Sequence, residues 1–263
     1  MAIQREKILS CASELCLSEG VDAFSMRKLA RAVGVTAPAL YRHYESKEEV
    51  LLDVVNEAYR LHMEYLSGAL VGATPLERFE LAGQAYLNFA MEHPRFYELL
   101  FTYAEVLGLE EIPEGTLARA RAAGHFWQDR VRELMAAGLL EEGDPDQVSA
   151  TMWAFAHGLI SLYLRRLLPL REDDFRDFVD VAFSRLMCGL ATEEFAAGIK
   201  AEMAVAGLEE KLSGALQPKV IAERKGGGAG GENSGHGGAG DGGPRTAHRV
   251  DPNSPETWGT GAS

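Results

Sequence analysis

The sequence has 263 residues, which is room for one or two domains, and 46% of them are apolar, as in ordinary globular proteins. No run of eighteen apolar residues occurs, which argues against a membrane span. The N-terminal stretch MAIQREKILSCASEL carries scattered charges where a signal peptide would be apolar. Three cysteines without paired spacing argue against a disulfide framework. These properties predict a cytoplasmic protein with reduced cysteines.

The formal net charge of −13 is distributed unevenly along the chain. Residues 51–223 account for the whole excess of acidic groups, whereas residues 24–47 hold five basic side chains against one acidic one. The acidic body favours solubility and does not exclude a polyanionic partner at the basic N-terminal end.

Helical periodicity begins near residue 3 and continues to about residue 213, and we find no strand-like alternation. Gly20 stands where a helix C-cap favours a left-handed residue, and Ser25 is a good N-cap for the next helix. The second helix then repeats apolar residues at i, i+3, i+4 and i+7, namely Met26, Leu29, Ala30 and Val33. This spacing predicts one buried stripe with the basic residues in solvent.

Gly34 interrupts the periodicity, and a third helix is predicted directly after it. Thr36 is a suitable N-cap, and Pro38 falls in the first turn, where a missing N–H has no cost. Leu40 and Tyr44 are four residues apart and are expected to face inward.

A long fourth helix is predicted to open at the S-x-x-E capping box of Ser46 and Glu49 and to run to about residue 67. Further helices are predicted over 75–92, 94–107, 115–138, 145–168, 172–190 and 192–213. Thirteen of residues 226–263 are glycine, and such a composition predicts a disordered tail.

A helix, a glycine turn and a second helix make up the sequence pattern of a helix-turn-helix, whose second helix enters the major groove of DNA. The residues at its start, Thr36, Ala37, Pro38 and Ala39, are small and would let the helix approach the bases. Arg27 is placed to read a guanine, and Ser25, just before the same helix, is also predicted to contact DNA. Phosphate contacts are predicted for Lys28, Tyr41, His43 and Lys47. A merely solvated basic face is the alternative interpretation.

The segment FSMRKLARAVGVTAPALYRHYESKEEVLLDVV resembles the DNA-binding domain of the TetR family of transcriptional regulators. The resemblance is carried by Ala30, Gly34, Val35, Leu40, Tyr41, His43, Ser46, Lys47 and Glu48. Tyr44 stands where phenylalanine is commoner, and the Ala37-Pro38-Ala39 variant leaves the operator sequence open. The resemblance implies a homodimer on palindromic double-stranded DNA, with a helical effector-binding domain and repression as the default.

Two later segments extend this resemblance. FAMEHPRFYELLF is similar to a helix break of the family, and MWAFAHGLISLYL is similar to the W-x-x-x-H-G segment of one subgroup. In the family, this helix and the one at 172–190 form the dimer contact. The resemblance therefore implies interface roles for Trp153, His157, Phe178 and Phe183, although Trp153 and His157 would also suit a packed core pair.

Aromatic and methionine residues of the helical domain have two possible roles. Phe126, Trp127, Met152 and Phe155 are candidates to line a ligand pocket, and the alternative is a plain core. No catalytic triad, nucleophile elbow, Walker loop or metal-ligand spacing is readable, so we predict no enzyme activity, no metal and no cofactor.

The sequence thus predicts an all-α regulator with a three-helix helix-turn-helix over residues 1–47. An effector-binding and dimerisation domain is predicted over 48–215, followed by a disordered glycine-rich tail over 216–263. The predicted function is a repressor released from its operator by a small molecule. The alternative is a DNA-localised protein-binding module without a small effector. The identity of the effector and the regulated genes cannot be read from the sequence.

Overall fold

The structure, a computed structural model, describes residues 5–206, all of which belong to one compact unit. This part of the chain is helical, and its one β-bridge joins Leu140 to Ala191. The helices are α1 (Arg5–Glu19), α2 (Met26–Val33), α3 (Ala37–Leu40), α4 (Lys47–Ser67), α5 (Pro75–Glu92), α6 (Pro94–Val106), α7 (Glu114–Ala136), α8 (Pro145–Leu164), α9 (Glu172–Cys188) and α10 (Glu193–Ala206). A short 3₁₀ helix, Gly68–Val71, follows α4. The all-α prediction is confirmed.

Local sequence chemistry explains the first three helices. The Ser25 side chain accepts a hydrogen bond from the backbone N–H of Lys28, which satisfies one free donor at the start of α2. Gly34 ends that helix in the left-handed conformation at φ 83°, where a side chain would be strained. Helix α3 has only four residues, with Thr36 at its N-cap and Pro38 in its first turn. The predicted turn is therefore confirmed, although the Thr36 side chain makes no capping hydrogen bond.

The capping box predicted for α4 is only half formed. The Ser46 hydroxyl accepts from the backbone N–H of Glu49, but the Glu49 carboxylate accepts from the N–H of Glu45 instead of returning to Ser46. A complete capping box, which the sequence reading missed, opens α5 between Thr74 and Glu77. Both devices satisfy N–H groups that a helix start leaves without partners.

The later predicted helices agree with the observed ones to within a few residues, as at α5, whose bounds are those predicted. The largest difference is at α8, which ends at Leu164 rather than 168. Arg165 follows as its C-cap, and Arg166 takes the left-handed conformation at φ 58°, which terminates the helix. The predicted extension of the last helix to 213 and the predicted disordered tail at 216–263 lie outside the described residues.

The first four helices share a continuous apolar core. Ile8, Leu29, Leu40 and Val50 have no exposed surface, so the stripes predicted on α1 and α2 meet α4 in a dry interior. Tyr44 is also buried, at 1% exposure, as predicted. The same core continues along α4 to α5 and α6, and it therefore connects the N-terminal helices to the rest of the unit.

A second apolar cluster lies between α5, α7, α8 and α9. Its buried members are Phe79, Val131, Leu134, Leu140, Met152 and Met187. Many of the residues packed around this cluster are only half-buried, including Trp127 and Phe183. None of the helices within residues 5–206 is both long and apolar enough to cross a membrane.

Candidate functional site

The surface formed by α2, the turn and α3 presents several of the predicted DNA contacts to solvent. Arg27, Thr36 and Pro38 are exposed, and Tyr41 has 53% of its surface exposed although it follows directly on α3. Arg27 makes no hydrogen bond or salt bridge within residues 5–206 and is available to an anion or a base edge. Arg42, which lies beside Tyr41 and was counted only in the basic patch, is exposed as well.

Other predicted contacts are less accessible. Ala39 is 8% exposed and faces the core, so it is not available to DNA. The residues at the start of α3 that can reach DNA are therefore Thr36, Pro38 and the half-buried Ala37. The Lys28 ammonium group forms a salt bridge with Glu19 and donates to the carbonyl of Ala23 at 2.9 Å. A phosphate contact by Lys28 would therefore compete with an existing ion pair.

The remaining predicted contacts lie at the starts of α2 and α4. Ser25 is occupied as the N-cap of α2, and His43, shortly before α4, is half-buried with its backbone N–H bonded to the carbonyl of Leu40. Lys47 is the first residue of α4, where free N–H groups favour a phosphate. The neighbouring Cys16 thiol is buried, which raises its pKa to about 11, so this cysteine stays uncharged beside Lys47.

Polar braces that the sequence reading missed hold this surface in place. Lys7 donates to the carbonyl of Val33 at 3.1 Å and so caps the end of α2 from α1. Arg5 forms a salt bridge with Asp53 at 2.9 Å, and the Tyr44 hydroxyl donates to the same carboxylate at 2.9 Å. These partners are 26 and 48 residues apart in the chain, so no local pattern could have revealed them.

Helices α8 and α9 bury few of their apolar residues. Only Ser149, Met152 and Ile160 are buried on α8, although this helix has a single charged residue, Asp146. Trp153 is 38% exposed, and the other residues predicted for the dimer interface, His157, Phe178 and Phe183, are half-buried. The protomer thus leaves a broad apolar face on these two helices, which are the ones to which the resemblance assigns the dimer contact.

A chain of hydrogen bonds links α5, α6 and α8 behind this face. The hydroxyl groups of Tyr86 and Tyr97 lie 3.0 Å apart, and the Tyr97 hydroxyl lies 2.8 Å from Nδ1 of His157. Nε2 of His157 lies 3.2 Å from the hydroxyl of Ser161. Burial lowers the pKa of His157, with a smaller contribution from the charge of Arg165, so the imidazole is held in its neutral form.

A cavity of about 740 Å³ lies among α5, α7, α8, α9 and α10. Its wall is largely apolar and aromatic, with contributions from Phe79, Tyr86, Trp127, Met152, Trp153 and Phe183. Trp127 and Met152 were predicted as pocket residues, and Trp153 and Phe183 as interface residues. Phe126 and Phe155 do not line this cavity; the Phe126 ring packs beneath the Arg130 guanidinium, and Phe155 packs against Phe183.

Within the described part of the chain, three carboxylates also line the cavity, namely Glu80, Asp180 and Glu202. Partial burial raises the pKa of Glu80, and the nearby charges of Glu202 and Glu77 raise it further. Burial likewise raises the pKa of Asp180, and Asp177 adds to this effect. Within residues 5–206 no group of three or more histidine, cysteine or acidic side chains is arranged to hold a metal ion.

A helix-turn-helix with an exposed recognition surface, joined to a helical body with a cavity, defines the class of DNA-binding transcriptional regulators. Two family models match the chain: "Bacterial regulatory proteins, tetR family" over residues 8–54 and "Tetracyclin repressor-like, C-terminal domain" over residues 79–186. Together they span more than half of the sequence. The chain belongs to the TetR family of transcriptional regulators.

Two characterised relatives show how broad this family is. The transcriptional repressor KstR2 of Mycolicibacterium smegmatis is 28% identical over 144 residues, which is 52% of this chain and 67% of that protein. The nucleoid occlusion factor SlmA of Vibrio cholerae is 26% identical over 183 residues, which is 65% of this chain and 90% of that protein. Their names describe different roles, so family membership does not fix the role of this chain.

Among solved structures, a protein of unknown function from Rhodococcus sp. RHA1 is similar to 72% of this chain and 95% of its own, with a TM-score of 0.64 and 23% identity. This similarity shows the shared fold. The W-x-x-x-H-G subgroup remains a prediction, since the matched C-terminal model includes Trp153 and His157 without singling them out.

Proposed function

We propose that this protein is a homodimeric repressor that binds a palindromic operator and is released from it by a small molecule. In this proposal residues 1–47 contact DNA, and residues 48–215 bind the effector and form the dimer. The observation that carries the proposal is the exposed surface of α2 and α3, where Arg27 has no partner within residues 5–206 and Tyr41 is also exposed. This surface is held by the Ser25 cap and by the bond from Lys7 to Val33, and a fixed basic surface suits a DNA duplex.

The dimer is supported by the exposed apolar face of α8 and α9. Apolar surface of this kind marks an interaction site on a soluble protein, and a second copy would cover it symmetrically. A two-fold axis would present two α3 helices, and successive major-groove faces require their separation to be about 34 Å.

Release by an effector is supported by the cavity. A volume of about 740 Å³ lies in the range of roughly 300–1,000 Å³ that is typical of small-molecule sites. Helix α4 connects the two functions, because Lys47 begins it at the DNA surface and Leu66 is buried in the body near its end. An effector that binds one arrangement of α4 better than another would shift the dimer toward that arrangement.

Quantitative DNA binding tests the interface. Genomic fragments bound by the protein would first define the operator. Arg27→Ala is expected to cost roughly 1–3 kcal/mol of discrimination at one base pair. Lys47→Ala is expected to weaken binding to all sequences about equally and to flatten the salt dependence by removing one phosphate contact.

Arg119→Ala is the matched control, because Arg119 is exposed on α7, far along the chain from the helix-turn-helix. It removes the same charge and should leave operator affinity unchanged. If the Arg27 and Lys47 variants bind as tightly as the unaltered protein at every salt concentration, the proposed docking surface is wrong.

A second candidate function is that of a DNA-localised protein-binding module. The similarity to SlmA, named as a nucleoid occlusion factor, favours this candidate over 65% of the chain. The cavity favours the effector model, because a module of this kind has no need of one. Purification of the protein followed by mass spectrometry of extracted small molecules distinguishes the two; a stoichiometric co-purifying ligand supports the effector model.

A further inference from the structure

We infer that the cavity among α5, α7, α8, α9 and α10 is built for a lipophilic cation, a compact aromatic or aliphatic molecule that carries a permanent positive charge. This inference rests on the proposed function, because it names the chemical class of the effector. The observations that carry it are the composition of the wall, the sign of the charges at its edge and the aromatic groups beside them.

The wall provides the apolar half of such a site. Phe79 and Met152 are buried, and Trp127 stands between the rings of Phe79 and Tyr86, with ring centroids about 6 Å apart in each pair. Apolar side chains from the two remaining helices, α9 and α10, complete the wall. Burying the apolar part of a ligand here would contribute free energy in proportion to the area removed from water.

The edge of the cavity carries charge of one sign. Glu80 on α5, Asp180 on α9 and Glu202 on α10 are exposed carboxylates, and among the lining residues within 5–206 there is no lysine, arginine or histidine. None of the three forms a salt bridge with another residue of the described chain. Arg176 on α9, whose charge acts on Asp180 from a distance, donates to Asn88 at 2.7 Å and to Glu172 at 2.9 Å.

Glu80 and Glu202 repel one another, and Asp180 adds a third negative charge to the same cavity, so a cation there would relieve unfavourable charge. The raised pKa values of Glu80 and Asp180 agree with this view, since burial and neighbouring carboxylates disfavour the charged form in each case. An anionic ligand, such as one that carries phosphate groups, would add to the repulsion instead.

The aromatic rings give a second means of recognising a cation. Trp127 and Trp153 both line the cavity, and the face of an indole attracts a positive charge within about 6 Å of its centre. The indole N–H of Trp127 is buried and has no hydrogen-bond partner within residues 5–206. A ligand that also carries an acceptor group would satisfy this donor.

Isothermal titration of the full chain with tetraphenylphosphonium and tetraphenylborate tests the inference, because the two ions have the same shape and opposite charge. We expect tetraphenylphosphonium to bind at least tenfold more tightly than tetraphenylborate. In the triple variant Glu80→Gln, Asp180→Asn, Glu202→Gln we expect the affinity for the cation to fall roughly tenfold, since partly exposed charges act through a screened field.

The triple variant Glu110→Gln, Glu111→Gln, Glu142→Gln is the matched control, because it removes the same net charge at exposed sites outside the cavity. It should leave the affinity for the cation unchanged. Equal losses in both variants, preference for the anion, or no binding of the cation to the folded protein would each overturn the inference.

A parallel titration of the operator complex separates the two proposals. If tetraphenylphosphonium binds the cavity and the DNA stays bound, the inference about ligand class stands and effector release fails. If the anion alone binds and displaces the DNA, effector release stands and the inference about charge is overturned.

Discussion

The α1–α4 region and the α8–α10 region are built from the same kind of helix but fill their interiors differently. Helix α4 buries eight of its 21 residues, and Ile8, Leu29 and Leu40 around it have no exposed surface. Helix α8 buries three of its 20 residues, and a cavity of about 740 Å³ lies beside it. The α1–α4 region is a tightly packed core that supports an exposed surface. The α8–α10 region encloses a cavity and leaves an apolar face exposed.

The difference shows which features of the chain serve recognition and which serve stability. In the α1–α4 region the function lies outside, so the interior is free to be packed as tightly as possible. In the α8–α10 region the interior and the apolar face are themselves the proposed sites, and close packing would abolish them. Four tests address this contrast, in order of decreasing expected effect.

Truncation of one leucine in each region measures the contrast directly. Leu40→Ala should lower the free energy of unfolding by about 3 kcal/mol, since Leu40 has no exposed surface and its loss leaves a void. Leu76→Ala, in the half-buried cavity wall, should cost less than about 1.5 kcal/mol. Urea unfolding at equal protein concentration checks both, and equal losses would remove the distinction between the two regions.

The two regions also differ in how a histidine is hydrogen-bonded, which makes the pH dependence of stability a second test. His62 on α4 is 4% exposed, and neither ring nitrogen has a partner within residues 5–206, whereas His157 on α8 has two partners. Burial lowers the pKa of His62 to about 4 from an ordinary value of 6.5. The folded state therefore favours the neutral ring, and its stability contribution is complete above pH 6.5 and is lost as the pH falls toward 4.

Replacing His62 isolates that contribution. The parent protein should lose up to about 3 kcal/mol of its free energy of unfolding between pH 6.5 and pH 4 through protonation of His62. The His62→Leu variant should not show this loss, because an apolar side chain cannot be protonated. Denaturant titrations at a series of pH values measure the difference. His125→Leu, at an exposed position on α7, controls for the loss of a histidine. Identical pH profiles for the His62→Leu variant and the parent would contradict the prediction.

The hydrogen-bond chain that connects α5, α6 and α8 is expected to contribute less. Tyr97→Phe removes the hydroxyl that contacts both Tyr86 and His157, and it should cost about 1–2 kcal/mol because the buried Tyr86 hydroxyl and Nδ1 of the half-buried His157 each lose this partner. Tyr59→Phe is the comparison, since the Tyr59 hydroxyl donates to the carbonyl of Leu100 over a long 3.4 Å and has Tyr103 as its other polar neighbour. Thermal unfolding should rank the Tyr97 variant as the less stable, and the opposite ranking would show that the chain is not structural.

The smallest expected changes in stability come from two Gly→Ala substitutions, and they have opposite signs. Gly34→Ala should destabilise the protein by about 1 kcal/mol, because Gly34 has φ 83° and open space around it, so the cost comes from the backbone alone. Gly124→Ala, inside α7 and also in open space, should stabilise the protein by about 0.5–1 kcal/mol. A stabilising Gly34→Ala would show that the left-handed turn is not needed.

The fold was predictable from local chemistry to a large extent. Ser25, Gly34, Thr36 and Pro38 act within a few residues of themselves, so the turn before α3 could be located without tertiary information. The bonds from Lys7 to Val33 and from Arg5 to Asp53 could not be found in this way, because they join residues far apart in the chain. The bond that the Glu49 carboxylate accepts from the N–H of Glu45 is local, but the S-x-x-E pattern pointed to the N–H of Ser46 instead.

The cavity was the least predictable feature. An apolar residue on a helix has the same periodicity whether it borders a core or a void, so Phe126 and Trp127 were equivalent in the sequence. The structure turns Trp127 toward the cavity and packs Phe126 beneath Arg130. Glu80, Asp180 and Glu202 looked like ordinary solvated charges, because three helices distant in sequence are needed to bring them to one opening.

The length of α4 sets the scale of motion that DNA release would require. Its 21 residues form a rod of about 31 Å, and Tyr59 and His62 hold its far half among aromatic rings. Lys47 lies roughly 20 Å from that half, so a tilt of about 9° there would displace Lys47 by about 3 Å, close to the spacing of successive base pairs. A tilt of this size is the smallest motion of α4 by which the proposed effector could shift the DNA contacts by one base pair.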